Sequence, residues 1–367
     1  MLCGMSGERE TKDVGRVPLW ATAVVALIAA CGARSDLTGP GSGSNEVACR
    51  AAGEACMVDG DCCDLPCTGG ACAAPPPPCL NDTGPVLLAM GLSDPYSLGG
   101  DATSLFVAEL HETGSILRVP KAGGAKEVLS ANEGYTDFLV VDQKTIFYAT
   151  EHALRFVPTS GGAPETLATV FGPAGFHVGP DRIHLAAYLA EDLVAIDRGT
   201  GAKEVLESGM SGIHRVAVNE EGAYFSSFLD GLRRHRFSDG KLDVLGAGLG
   251  NARAVLAHGG DIYYTVPKTQ RIYRVASGVA EPELLADLSS LGVFLEALVT
   301  DGAFLYTTVS AGDGGNGLVA RVPIAGGAPQ VVSDGGGVSP SALVVDDACV
   351  YFTERDGGSV FRARKAP

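Results

Sequence analysis

Apolar residues in this chain gather in runs of three or four, and the i, i+3, i+4 spacing of an amphipathic helix is absent from residue 85 onward. Seven runs share an aromatic or apolar centre: Leu105-Phe106-Val107, Ile146-Phe147-Tyr148, Ile183-His184-Leu185, Ala223-Tyr224-Phe225, Ile262-Tyr263-Tyr264, Leu305-Tyr306-Thr307 and Val350-Tyr351-Phe352. Successive centres lie 41, 37, 40, 39, 43 and 45 residues apart. A period near forty, built from short β-branched and aromatic stretches, marks repeated four-stranded units that must stack on one another to bury their faces. Within a unit an apolar strand comes first, such as Phe138-Leu139-Val140-Val141 or Ala342-Leu343-Val344-Val345. An Asp-containing turn leads from it into the aromatic strand. A third strand, such as Ile116-Leu117-Arg118-Val119, turns through Ala122-Gly123-Gly124 into a fourth, Glu127-Val128-Leu129. The same hairpin recurs at Gly161-Gly162 and Gly326-Gly327, where the glycines supply the positive φ of a tight turn.

The last unit stops after its third strand, while Val86-Leu87-Leu88-Ala89 stands before the first unit as a strand without one. Its step into the next unit matches the internal ones: Leu87 to Tyr96, Val128 to Asp137, Val205 to His214 and Val244 to Arg253 are each nine residues. The pattern predicts an all-β, seven-bladed β-propeller over residues 85–367, with the N-terminal strand completing the last blade and leaving no open edge between the chain ends.

The 367 residues carry a formal net charge of −16, which argues against general nucleic-acid binding and against electrostatic docking on an anionic membrane. Lys12 and Arg16 precede twelve mostly apolar residues, 19–30. At about 1.5 Å per residue such a run is too short to span a bilayer, so residues 1–30 read as an export signal, of which a start at Met5 gives a more typical form. Its end, Leu27-Ile28-Ala29-Ala30-Cys31, resembles a bacterial lipobox. That resemblance implies lipidation of Cys31 and a place in the cell envelope, with membrane contact through the lipid anchor only; a plain secretory peptide and a secreted protein are the alternative. Residues 31–48, containing Thr38-Gly39-Pro40-Gly41-Ser42-Gly43-Ser44, read as a flexible tether, and residues 73–84, with four consecutive prolines, as a stiff linker.

Between them, residues 49–72 hold six of the ten cysteines and no histidine, the composition of a disulfide module and not of a zinc site. Spacing alone permits 15 connectivities. The adjacent pair Cys62-Cys63 in mid-module resembles inhibitor-cystine-knot modules, and the resemblance implies the pairs Cys49–Cys63, Cys56–Cys67 and Cys62–Cys72. Cys79 lies shortly before the closing strand and Cys349 in the last blade, so a Cys79–Cys349 bridge is expected across the largest loop in the chain.

Tyr263-Tyr264-Thr265-Val266, Tyr351-Phe352-Thr353-Glu354 and Tyr306-Thr307-Thr308 resemble the Tyr-Trp-Thr-Asp repeats of lipoprotein-receptor propellers and related bacterial extracellular propellers. The resemblance implies the fold and a protein- or ligand-binding role. Two departures stand out: the only tryptophan is Trp20 in the leader, and the units number seven where the receptor propellers have six blades.

In a propeller, the residue entering each innermost strand rims the central channel. Ten positions before each aromatic centre that residue is Tyr96, Asp137, Ala174, His214, Arg253, Glu296 and Ser341. Loops leaving the second strands place Glu109, His111, Glu151, His152, Glu354 and Arg355 on the same face. The expectation is an acidic, mixed-charge mouth for a cationic or polar ligand or one metal ion, set against a solvated rim with internal ion pairs. His184, in a strand where other units carry apolar residues, is expected to be packed. No Gly-x-Ser-x-Gly elbow, His-Glu-x-x-His helix or phosphate-binding loop is present, Gly246-Ala247-Gly248-Leu249-Gly250 reads as a turn, and residues 313–317 read as a surface loop. The leading reading is a monomeric binding scaffold without a cofactor, whose partner is a protein or a small polar ligand. The alternative is a metal-assisted lyase or hydrolase using His214, Asp137 and Glu296, since lyases and lactonases built on propellers use such rims.

Overall fold

The computed structural model describes residues 82–365 except 230, 311–315 and 335–339, together with Cys79 and the backbone of two short strands, Cys67–Thr68 and Ala71–Cys72. Those two strands form an antiparallel hairpin with Cys67 opposite Cys72. The chain divides into two compact units, residues 1–74 and 75–367. The export signal, Cys31, the tether, the three module pairings and most of the linker lie outside the described residues, as does most of the loop at 313–317.

The second unit is a seven-bladed β-propeller. Seven four-stranded antiparallel sheets follow one another, each strand pairing with its neighbour in sequence. Their innermost strands are Pro95–Gly100, Phe138–Asp142, Pro173–Val178, Ile213–Val218, Val255–His258, Phe294–Thr300 and Pro340–Val345. Each touches the next around the ring, and the seventh touches the first. The last blade takes its fourth strand from the other end of the chain: Val86–Ala89 runs antiparallel to Ser359–Arg364, with Val86 opposite Arg362 and Leu87 opposite Phe361. This is the closure that the nine-residue step predicted.

The apolar runs fail to alternate with polar residues because both faces of each blade are covered. In Ser104–Glu109, Leu105 and Val107 pack against the seventh blade while Phe106 and Ala108 pack against the second. The core is thereby divided into seven wedges, one between each pair of adjacent blades. A large side chain wholly buried in such a wedge stabilises it by about 1.5–3 kcal/mol. All seven aromatic or apolar centres are buried, His184 among them.

Turn chemistry sets the blade register. In the first hairpin of a blade, a carboxylate or amide at the turn accepts two backbone N–H groups: Asp101 from Thr103 and Ser104, Asn219 from Glu221 and Gly222, Asp301 from Ala303 and Phe304, Asp346 from Ala348 and Cys349. Between third and fourth strands, Gly123-Gly124, Gly161-Gly162 and Gly326-Gly327 all have φ between 83° and 142°, as the turn requires. Cys79 and Cys349 are joined in a disulfide, both sulfurs in the wedge between the last blade and the first. Beside it, Arg362 pairs with Asp82 at 3.0 Å and Lys121 with Asp346 at 2.9 Å.

Candidate functional site at the channel mouth

A repeated irregularity builds the mouth. In five blades the innermost strand begins with a β-bulge in which two residues oppose one residue of the second strand. The bulged pairs are Tyr96-Ser97, Ala174-Gly175, His214-Arg215, Glu296-Ala297 and Ser341-Ala342. The first of each pair is the predicted rim residue. A bulge bends its strand and re-aims the side chains it carries, so these residues leave the ladder and line the channel entrance.

The residue opposite each bulge lies two positions after the aromatic centre, at the threonine of the repeat motif. In blades four, six and seven its hydroxyl accepts the N–H that the bulge frees, Arg215 to Ser226 at 2.9 Å, and Ala297 to Thr308 and Ala342 to Thr353, each at 3.1 Å; in blade five, just before the innermost strand, Thr265 accepts the Ala254 N–H at 3.1 Å in the same way. Thr308 also donates to the Ser341 carbonyl of the next blade at 2.8 Å. The motif threonine thus satisfies a buried backbone donor that would otherwise be orphaned. Blades one and three carry alanine there, Ala108 and Ala186, which offers no such acceptor.

Arg215 was not foreseen. It reaches from blade four across blade three: its guanidinium donates to the Ala174 carbonyl at 2.6 Å, stacks over the Phe138 ring at 4.4 Å and stands 3.7 Å from Asp137. Gly175 makes this path possible, since a Cβ there would come within 2.7 Å of both Arg215 Cδ and the His214 carbonyl oxygen. Two further arginines repeat the arrangement. Arg253 lies over Phe294 at 5.1 Å with Glu296 at 3.6 Å. Arg355 lies over Tyr96 at 4.6 Å and grips Asp94 with two bonds of 2.5 and 2.8 Å. The rim therefore sets three guanidiniums against Asp94, Asp137 and Glu296, so that positive and negative groups alternate there.

Beneath the rim is a recess of about 190 Å³ lined by Arg215, Arg253, Glu296, Tyr96 and Ser341, with Leu98, Leu139 and Leu343 among its apolar walls. An adjoining hollow of about 310 Å³ holds Tyr96, Asp137 and His214 beside Tyr188, Leu189 and Phe228. His214 is buried against the Phe228 ring at 4.7 Å, and its Nδ1 has no partner. Burial, aided by Arg215 and Arg253, holds its pKa well below the ordinary imidazole value. Burial pushes the Asp137 carboxyl up, and Arg215, Arg253 and Arg355 oppose the shift.

Other residues expected at the mouth have different work. Glu109 is buried and accepts the Ser93 N–H at 2.7 Å, pinning the loop that enters blade one. Glu354 is buried and accepts the Gly357 N–H at 2.6 Å. Both carboxylates are buried and each holds its own loop. Glu151 and His152 are exposed, with His152 stacked on Phe171, and His111 bonds Thr113 within its loop. Among the described residues no three His, Cys, Asp or Glu side chains come together as metal ligands, so His214, Asp137 and Glu296 do not form the metal set of the lyase alternative.

In fold the chain is similar to virginiamycin B lyase. The structure of that enzyme from Staphylococcus aureus with Quinupristin superposes with a TM-score of 0.63 at 12% identity, covering 76% of this chain and 97% of the other. The computationally designed Ika8 protein superposes at 0.54 with 11% identity, over 76% and 98%. An extracellular domain assigned to a one-component system of B. thetaiotaomicron superposes at 0.59 with 11% identity, over 76% and 40%. At these identities the likeness is one of fold. No protein-family model and no curated protein sequence matches the chain.

Proposed function

We propose that this protein is a cell-envelope lipoprotein whose propeller is a recognition scaffold, binding a partner or small polar ligand at the channel mouth. The observation that carries the reading is the set of bulges that turns rim side chains out of the sheet and into the recess and the hollow beside it. There the polar groups are held by Arg–aromatic stacking and loose ion pairs, a preformed and partly desolvated surface of the kind ligand sites use. The buried disulfide supports an oxidising compartment, in keeping with export.

Affinity capture from envelope extract tests the reading, comparing the full chain with the variant Asp137→Ala/Arg253→Ala/Glu296→Ala. Partners or ligands retained by the first and lost by the second are expected. Identical capture by both would sink the mouth as the recognition site. Anchoring is tested separately: a Cys31→Ala chain is expected to leave the membrane fraction and to lack the mass of attached lipid.

A further inference from the structure

Four charged side chains at the mouth stand close together without completing hydrogen bonds to one another. Arg215 and Asp137 are 3.7 Å apart, Arg253 and Glu296 3.6 Å, and all four are recessed, their side chains 17 to 25% exposed. The Arg355–Asp94 pair on the same face, closed by two bonds of 2.5 and 2.8 Å, shows what a completed pair looks like here. Each of the Arg215 and Arg253 guanidiniums lies over an aromatic ring, Phe138 and Phe294, and a stacked guanidinium keeps its N–H edge for partners in its own plane. The Arg253 guanidinium makes no hydrogen bond among the described residues, and that of Arg215 makes one, to the Ala174 carbonyl.

These four groups sum to zero charge. A ligand with one charge would leave an uncompensated ion in a recess poorly served by water, and desolvation would take back much of what its contacts give. A ligand with both charges offers each open pair a new partner and leaves the recess neutral. The adjoining hollow adds a second requirement. Tyr188 and Leu189, 43% and 50% exposed, form with Phe228 an apolar wall in the same hollow as Asp137 and Tyr96. Large apolar side chains left exposed beside an organised polar recess are a contact surface in search of apolar area.

We propose that the mouth binds a small zwitterion with an apolar substituent: an apolar α-amino acid, free or as a short peptide with both termini. Its carboxylate lies against Arg215 and Arg253, its ammonium against Asp137 and Glu296, and its side chain against Tyr188, Leu189 and Phe228. This rests on the recognition reading above and names the ligand class of that site.

Titration calorimetry on the full chain decides it, with four probes: L-phenylalanine, leucyl-phenylalanine, 3-phenylpropionate and 2-phenylethylamine. Saturable binding is expected for at least one of the two zwitterions, and which of them binds tells a free amino acid from a peptide. The carboxylate-only and ammonium-only probes are each expected to bind at least about tenfold more weakly. Arg253→Ala should weaken the zwitterion by about tenfold or more, and Arg253→Lys, which keeps the charge without the planar fork, by less. Glu296→Gln, close in shape to the native residue, guards against misfolding: it should lower zwitterion affinity while leaving the melting temperature in place. Binding of neither zwitterion overturns the proposal, and so does a single-charge probe that binds as well as L-phenylalanine. If no zwitterion binds yet capture from extract still depends on Asp137, Arg253 and Glu296, the ligand class falls and the recognition reading stands. If capture ignores those residues, the reading itself falls.

Discussion

At Gly175 a single hydrogen atom where other residues carry a Cβ decides the shape of the mouth, because Arg215 passes directly over it. Gly175→Ala is expected to force Arg215 or its own backbone aside, at about 1–3 kcal/mol, read as a fall in the urea midpoint, and to weaken capture at the mouth. His184 shows the opposite use of a polar residue. It is buried, its Nδ1 has no partner, and its ring lies 5.4 Å from Phe237. Burial, aided by His177, Arg182 and His235, pushes its pKa down to about 4. Below about pH 6.5 the unfolded chain takes up a proton that folded His184 refuses, so stability is complete above that pH and falls on acidification, by on the order of 3 kcal/mol at pH 4. His184→Phe, which places there the residue found at the centres of blades one and two, is expected to flatten the decline between pH 6.5 and 4 in urea titrations. The packing of His184 was readable from its apolar neighbours along the strand. The reach of Arg215 was not, since it depends on a glycine in another blade. A trace of it was present: Ala254, Ala297 and Ala342 hold the equivalent position in blades five to seven, and an arginine among alanines is out of place.

The bulge, at the scale of the strand, is the device that makes the propeller face a site. Its recurrence opposite the motif threonine explains why counting ten residues back from each aromatic centre found the rim: the bulge inserts the same extra residue in most blades, so the count survives. The count could not say which side chains remain free once the loops fold. Glu109 and Glu354 look as available as Glu296 along the chain, yet backbone N–H groups of Ser93 and Gly357 claim them. Thr308 carries the clearest test of the bulge. It is fully buried, accepts from Ala297 and donates to Ser341. Thr308→Val keeps the shape and orphans one donor and one acceptor, at an expected cost of about 1–3 kcal/mol in chemical denaturation. A loss no larger than that of a surface substitution would remove the bulge-capping role of the motif.

Closure governs the whole ring. Pairing Val86–Ala89 with Ser359–Arg364 removes two sheet edges, and the disulfide from Cys79 to Cys349 locks the same blade across 270 residues. In the chain-entropy account a loop of that length is worth about 5–6 kcal/mol, so Cys79→Ala/Cys349→Ala is expected to lower the melting temperature clearly in scanning calorimetry and to keep the fold. Deleting residues 75–90 is a harsher change: it bares the edge of Ser359–Arg364, and light scattering is expected to show self-association. Strand positions, the glycine and Asx turns and the seven units were legible along the chain, because they follow from steric and hydrogen-bonding preferences that act within a few residues and then repeat. The strand shared between the chain ends and the Cys79–Cys349 bridge followed from counting those units, since the one incomplete blade and the one spare strand had to meet. The folded ring alone set the pairing of charges at the rim, the path of Arg215 over Gly175, and which carboxylates line the recess. Those depend on side chains from different blades meeting across the channel, and a pattern read along one strand has no term for a neighbour forty or eighty residues away.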